Sequence, residues 1–116
     1  MPRIKAKQFE TFQDGELTLC ECKNRTLIRT IQSNVRFGNR TIGAVRFWNA
    51  KVDGTVLSKM IAIPIIPEIH QKNILLIENR QYEIVQIQEK MDTKPPCYYL
   101  SLKSIQTSYK DERGVP

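Results

Sequence analysis

The sequence predicts a mainly β fold, a small antiparallel β-barrel of about six strands with one long inserted basic loop. Short runs of alternating apolar and polar residues recur along the chain, as in GELTLCECK at 15–23. Turn signals separate these runs, among them the Asp14-Gly15 and Asp53-Gly54 pairs. The length of 116 residues suits one domain. Closure into a barrel would leave no strand edge exposed.

The first predicted strand is 15–23, and a hairpin follows further along the chain. Residues 43–54, GAVRFWNAKVDG, are rich in β-branched and aromatic side chains and are bounded by glycines. Residues 55–63 then form the return strand of this hairpin. Pro64 ends the pairing, because proline has no N–H to donate to a ladder.

The clearest predicted hairpin is NILLIENRQYEIVQIQ at 73–88, with its turn at Asn79-Arg80. Asparagine accepts the left-handed backbone of a tight primed turn, although arginine is a poor second residue there. Residues 89–97 are predicted as a loop and 98–105 as the last strand. The domain is therefore expected to span 1–106, and 107–116 is expected to be a mobile polar tail.

Residues 24–42 do not fit the strand pattern. This stretch contains Leu27, Ile28 and Ile31 at helical spacing, and it ends in a glycine-containing segment. We expect a long loop, with a short helix within 24–35 as an alternative. Long connections inside small domains are commonly functional or order on a partner.

The excess positive charge of the chain is concentrated in one region. The formal net charge is +6, from 18 basic and 12 acidic residues. No acidic residue lies between Glu21 and Asp53, an interval that carries Lys23, Arg25, Arg29, Arg36, Arg40, Arg46 and Lys51. The remainder then holds 18 − 7 = 11 basic and 12 acidic residues and is close to neutral. Such a field attracts phosphates, acidic protein faces or anionic lipid.

Two interpretations of this basic region stay open at the sequence level, beside that of an ordinary solvated surface. Its arginines could neutralise nucleic-acid phosphates, with Phe37, Phe47 and Trp48 stacking on bases. Alternatively the region could be a docking arm, since Arg and aromatic residues are enriched at protein interfaces. Trp48 is then either a buried barrel residue or an interface anchor.

The sequence offers no constellation for catalysis, for a metal or for a cofactor. The only histidine, His70, lies in a polar loop, and nothing in the spacing pairs it with Cys97. Cys20-x-Cys22 resembles half of a zinc site, but the second ligand pair is missing. Three cysteines argue against a secreted disulfide framework. We predict a protein that is not an enzyme, carries no cofactor and is assembled in a cytoplasm.

The segments suggest no membrane association. The N-terminus MPRIKAKQFE lacks an apolar run behind its basic residues. The most apolar stretch, MIAIPIIP at 60–67, is too short to span a bilayer.

The order of these features resembles the phage head–tail connector family, also called head closure, head completion or stopper proteins. The resemblance is carried by the long basic connection, by TIGAVRFWNA and IAIPIIP, by the LLIENRQYEIVQIQ hairpin, and by the DTKPP loop and YYLSLKSI strand. It implies a virion structural protein of the neck, forming a ring of 6 or 12 copies. Implied partners are a portal or adaptor protein on the head side, a tail-side joining protein and packaged DNA in the channel.

The resemblance also implies roles for particular residues. The channel-facing or partner-facing candidates are Arg25, Arg29, Arg36, Arg40 and Arg46, with Arg36 and Arg40 foremost. The subunit-interface candidates are Phe37, Asn39, Trp48 and Tyr109. The alternatives are a tail completion or tail terminator protein, and a free nucleic-acid-binding small β-barrel.

Overall fold

A computed structural model describes residues 8–9, 11–40 and 57–113 of the chain, with side chains from residue 11 onward. The described residues form nine β-strands and no helix. These are β1 (Gln8–Phe9), β2 (Gly15–Lys23), β3 (Thr26–Arg40), β4 (Lys59–Pro64), β5 (Ile74–Ile77), β6 (Arg80–Lys90), β7 (Thr93–Lys94), β8 (Cys97–Ser104) and β9 (Lys110–Asp111). The expected strand within 43–54 lies outside the described residues.

Six of the strands close into a hydrogen-bonded ring. Its order is β2-β5-β6-β8-β4-β3, and β3 pairs again with β2. Every pairing around this ring is antiparallel. Two short parallel pairs, β1 with β7 and β9 with β3, lie outside the ring. The mainly β prediction is therefore confirmed.

Alternation along the strands builds the core. Leu17 and Leu19 of β2, Leu75 of β5, and Leu100 and Leu102 of β8 are buried together. Each fully buried leucine contributes roughly 1.5–3 kcal/mol relative to an exposed one. Along β2, Thr18 between the two leucines is only partly buried, so there the period of two in the sequence becomes the two faces of the ring.

The prediction of a loop or short helix at 24–42 is wrong over most of that range. Strand β3 occupies Thr26–Arg40 and pairs with β2 from Gly15 to Lys23. Asn24 and Arg25 form the intervening turn, with φ of 52° and 61°, as a two-residue primed turn requires. Arg25 is an uncommon residue for this conformation, so no clear turn signal is visible at this position in the sequence.

The hairpin predicted at 73–88 is confirmed, with its turn one residue earlier than expected. Glu78 and Asn79 have φ of 50° and 66°, and Ile77 pairs with Arg80. Arg80 is therefore the first residue of β6 rather than a turn residue. Strand β6 then continues to Lys90, into the segment predicted as a loop.

The predicted mobile tail is docked over its described part. We name Ile105–Arg113 the C-terminal strap. Its strand β9 pairs with Thr26 and Leu27 of β3, and Glu112 N donates to Leu27 O at 2.8 Å. The strap covers a second apolar cluster on the outside of the ring, formed by Cys20, Leu27 and Ile74. Backbone contacts to β3 thus continue past residue 106.

Candidate partner-binding surface

The β2–β3 hairpin carries four of the five predicted arginines. Arg25 lies in its turn, Arg29 and Arg36 lie along β3, and Arg40 ends β3. Fifteen extended residues span about 50 Å at ~3.3 Å per residue. The arginines are therefore strung along one strand instead of forming one compact patch. Arg46 lies outside the described residues.

Irregular pairing determines which way these arginines point. The β2–β3 register shifts at three places along β2, between Leu17 and Leu19, between Leu19 and Cys20, and between Glu21 and Cys22. Asn34 takes a φ of 56° at the first of these irregularities. A bulge inserts an unpaired residue and reverses the facing of the strand beyond it. Val35 and Phe37 consequently face the core, while Arg36 faces outward.

Arg25 is held against the C-terminal strap. Its guanidinium carbon lies 5.6 Å from the centre of the Tyr109 ring, within the range of a cation–π contact. The Tyr109 backbone is fixed in turn by Gln81, which donates from Nε2 to Tyr109 O and accepts from Tyr109 N at 3.0 and 2.6 Å. The hairpin tip and the strap are therefore one packed unit.

Arg29 makes an ion pair within the hairpin. Its Nε donates to Glu21 Oε2 at 2.7 Å, and both side chains are largely exposed. The two residues are cross-strand neighbours. Exposed pairs of this kind contribute ~0–1 kcal/mol, but the contact neutralises much of the Arg29 charge.

Arg40 serves the fold of its own chain. Its guanidinium donates to Thr11 O at 3.1 Å and to Asn39 O at 2.7 Å, and its Cζ lies 5.8 Å from the Tyr99 ring centre. The side chain thereby fastens the segment preceding β2 onto the outer face of β3. Arg40 is half-buried, which leaves little of it for a partner.

Arg36 differs from the other three. It is exposed, and its side chain makes no hydrogen bond or ion pair within the described ranges. Glu16 is its cross-strand neighbour on β2, but the two side chains do not come within ion-pair distance. Of the four described arginines of this hairpin, Arg36 therefore has the charge best placed for another molecule.

The residues expected at a subunit interface also divide into core residues and surface residues. Phe37 is only 3% exposed and belongs to the core, so its expected place at a subunit interface is wrong for this fold. Asn39 is exposed, and its backbone N–H donates to Asp14 Oδ2 at 2.7 Å. Tyr109 is half-buried in the strap. Trp48 lies outside the described residues.

Cations lie against three of the described aromatic rings, whereas the half-buried rings of Phe12 and Tyr98 have no such contact with a described residue. Two cations, Arg40 and Lys90, lie over the Tyr99 ring, at 5.8 and 5.4 Å from its centre. Lys59 lies 5.1 Å from the Phe37 ring centre, and Arg25 covers Tyr109. Base stacking needs an open ring face. At Tyr99 and Tyr109 this arrangement disfavours base stacking by a single-stranded nucleic acid.

Arg36 also borders a cleft that sequence reasoning missed. The cleft has a volume of about 560 Å³ and lies between the middle of β3, the segment after β4 and residues 11–13. Val35 and Ile66 are buried at its base, whereas Ile65 is 36% exposed. Pro64 was a visible signal, since it ends the β4 pairing, but the sequence did not show what would lie opposite it.

The strap places charged groups beside a buried thiol. Hydrogen bonds from the Arg113 side chain, and then from its backbone, lower the pKa of Asp111. Burial raises the pKa of Cys20, with Arg113 opposing and Asp111 reinforcing the shift. Cys20 is therefore a protonated packing residue rather than an activated nucleophile.

Two further features bear on chemistry. Among the described residues, no group of three or more His, Cys, Asp or Glu side chains is arranged to hold a metal ion. None of those residues forms a helix of the length and apolarity needed to cross a bilayer.

Comparisons with protein-family models, with curated proteins and with solved structures yield no match for this chain.

Proposed function

We propose that this protein is a structural subunit of a phage neck, forming a ring between the portal or its adaptor and the tail. The ring would extend the DNA channel and close it before the tail joins. The single observation that carries the proposal is the long β2–β3 hairpin, which bears Arg25, Arg29, Arg36 and Arg40 on a small six-stranded framework. We interpret that framework as a small β-barrel.

The pairing of the hairpin supports a projecting role. Strand β5 pairs with β2 only over Thr18–Cys20, and β4 pairs with β3 only over Gly38–Arg40. The two hairpin strands pair with each other over a much longer distance. The hairpin thus extends past its ring neighbours at the end where Arg25 and Arg29 lie, which suits contact with an adjacent subunit.

The positive charge of the hairpin would stabilise the assembly mainly because each copy in the ring repeats the same contact. One exposed arginine such as Arg36 gains little from a single contact in water. In a cyclic assembly the same contact recurs once per copy, so modest energies add into stable closure. Positive groups around a channel would also face the phosphates of packaged DNA, which lowers the cost of confining that DNA.

The alternative of a free nucleic-acid-binding protein receives less support. Such proteins combine a basic groove with stacking aromatics, whereas the Tyr99 and Tyr109 rings are covered by cations. A tail completion or terminator protein remains the nearest alternative, because it too would form a ring at the same joint.

A phage with a stop codon in this reading frame tests the proposal. We expect its heads to package DNA and then lose it, and its tails to accumulate unjoined. Adding the purified protein to the defective heads should restore DNA retention and tail joining. The Arg36→Gln variant should restore less than the matched control Lys72→Gln, which also removes one exposed positive charge.

Different defects would assign the protein elsewhere. Tails of irregular length on stable, DNA-filled heads would indicate a tail terminator. Normal particles from the mutant phage would contradict the neck assignment altogether.

A further inference from the structure

We propose that the cleft beside Arg36 binds an extended acidic segment of a partner protein, which adds a strand to the outer edge of β3. This inference goes beyond the neck assignment and does not depend on it. It rests on the strand register, on the lining of the cleft and on the charge at its rim.

The first observation is an open stretch of strand edge. One edge of β3 is paired with β2 along nearly the whole strand. The other edge pairs with β9 at Thr26–Leu27 and with β4 at Gly38–Arg40. Between Leu27 and Gly38 no described strand pairs with that second edge. Such an edge offers main-chain donors and acceptors to an added strand.

The second observation explains why the edge opens there. Gly38 pairs with Ala62, so continuing the same register would place Arg36 opposite Pro64. Proline has no N–H to donate, and the ladder stops. Asn34 then interrupts β3 with a positive φ and a register shift against β2, an irregularity of the kind that bends a strand. The cleft is the gap between these two diverging segments.

The third observation is the lining of the cleft, which suits a peptide. Apolar groups form its base and one wall, namely Phe12, Val35, Pro64, Ile65 and Ile66. Amide side chains and one cation form its rim, namely Gln13, Gln32, Asn34 and Arg36. An extended peptide presents alternate side chains to opposite sides. It could therefore place apolar groups on the base while its backbone pairs with β3.

Charge complementarity selects an acidic occupant. Among the described residues, Arg36 is the one charged residue that lines the cleft, and its side chain has no ion-pair partner there. A guanidinium matches a carboxylate through two parallel hydrogen bonds. The apolar base would be a poor surface for a sugar–phosphate backbone, so a protein segment rich in Glu or Asp fits better than DNA.

A peptide titration of the purified full-length protein tests this inference. The probe is a capped hexapeptide of alternating Val and Glu, and the comparison peptide alternates Val and Lys. We expect saturable binding of the Glu peptide, measured by calorimetry at low salt, and negligible binding of the Lys peptide. Hydrogen exchange should slow at the backbone amides of Gln32–Arg36 when the Glu peptide binds.

Substitutions locate the site. Arg36→Gln should weaken binding of the Glu peptide about tenfold, the loss expected for one charged contact of ~1.4 kcal/mol. Arg29→Gln is the matched control, because Arg29 lies on the same strand, outside the cleft, and is paired with Glu21; it should bind normally. Ile65→Asp places a negative charge on the cleft wall, where it would repel the carboxylates of the Glu peptide. This variant should also weaken binding.

Three results would overturn the inference. These are no saturable binding of the Glu peptide up to about 1 mM, equal binding of both peptides, or exchange protection away from β3. Each would leave the neck assignment standing, because that assignment is judged by particle assembly.

Discussion

At the scale of single residues, the arginines of β3 divide into those that serve the fold and one that is available to a partner. From the sequence, Arg36 and Arg40 are equivalent candidates, because the family resemblance implies that the connection 24–42 faces a neighbouring subunit or the channel. The structure separates them, since Arg40 donates to the Thr11 and Asn39 carbonyls and Arg36 donates to no described residue. No sequence pattern could show this, because Thr11 is 29 residues from Arg40 along the chain.

This division predicts opposite effects on stability. Arg40→Ala should lower the free energy of unfolding by about 1–3 kcal/mol, because it removes charged hydrogen bonds to two carbonyls. Arg36→Ala should change it by less than about 0.5 kcal/mol, as is usual for an exposed site. Urea unfolding followed by circular dichroism measures both. Equal losses for the two variants would mean that Arg36 also has a structural role.

Gly38 is a second residue whose identity is explained only by the fold. A Cβ at this position would overlap the Thr11 carbonyl oxygen and crowd the Arg40 guanidinium. We expect Gly38→Ala to cost about 1–3 kcal/mol, since backbone rather than a flexible side chain must move. Asn39→Ala is the neighbouring control and should be nearly neutral, because Asn39 contributes its backbone N–H to Asp14. If Gly38→Ala left the free energy of unfolding unchanged, residues 11–13 would be able to move away from β3 without loss of stability.

At the scale of elements, the C-terminal strap is held by a few directed contacts over an apolar cluster. Its short β9 pairs with only two residues of β3, so side-chain contacts must carry much of its attachment. Gln81 is central, since its amide makes two hydrogen bonds to the Tyr109 backbone. The polar composition of 107–116 predicted a mobile tail, because sequence cannot show that a distant glutamine will bind its backbone.

We expect Gln81→Ala to loosen the strap and expose the thiols beneath it. Cys20 is fully buried and Cys22 is half-buried in the cluster that the strap covers. Their reaction with an aromatic disulfide reagent should become several-fold faster, while the free energy of unfolding of the core falls by only about 1–2 kcal/mol. Gln86→Ala, an exposed change on the same strand, should leave thiol reactivity unchanged. Unaltered reactivity in Gln81→Ala would contradict this role of the strap.

Docking of the strap should also depend on pH. Hydrogen bonds from Arg113 lower the pKa of Asp111 in the folded state. A lowered carboxyl pKa stabilises the fold above the unfolded value of about 3.9, and the contribution is lost as pH falls through the folded pKa. The protection factor of the Glu112 amide, which donates to Leu27 O, should therefore fall below about pH 4, when its exchange rate is compared with the intrinsic rate at each pH. Asp111→Asn should show the low protection factor at every pH, and a wild-type protection factor that does not change with pH would contradict the linkage.

The elements that sequence predicted well are those with local signals. The hairpin predicted at 73–88 carries alternating apolar residues and an asparagine turn; its turn lies one residue earlier than predicted, and β6 runs on to Lys90. Strand β3 was missed because a strand with bulges lacks the regular alternation of apolar and polar residues. In its place, Leu27, Ile28 and Ile31 have a spacing that also fits a helix. The cleft was missed because it depends on the register between β3 and β4, which are separated by residues 41–58.

At the scale of the whole molecule, a small β framework supports a hairpin longer than the ring itself requires. Composition and alternation predicted the mainly β class, and the structure adds the closure of six strands into a ring. The acid-free interval between Glu21 and Asp53 contributes more to the buried core than expected, because Leu27, Val35 and Phe37 within it are core residues. The proposed role therefore rests on the outward face of β3 rather than on a separate loop.

Electron microscopy of the neck of phage particles that incorporate this chain tests the central claim most directly. The account predicts a ring of 6 or 12 copies between portal and tail, with the outward face of β3 at Arg36 against a neighbouring protein or the channel. Density that places the chain elsewhere in the particle, or in a neck ring with Arg36 turned to bulk solvent, would contradict it.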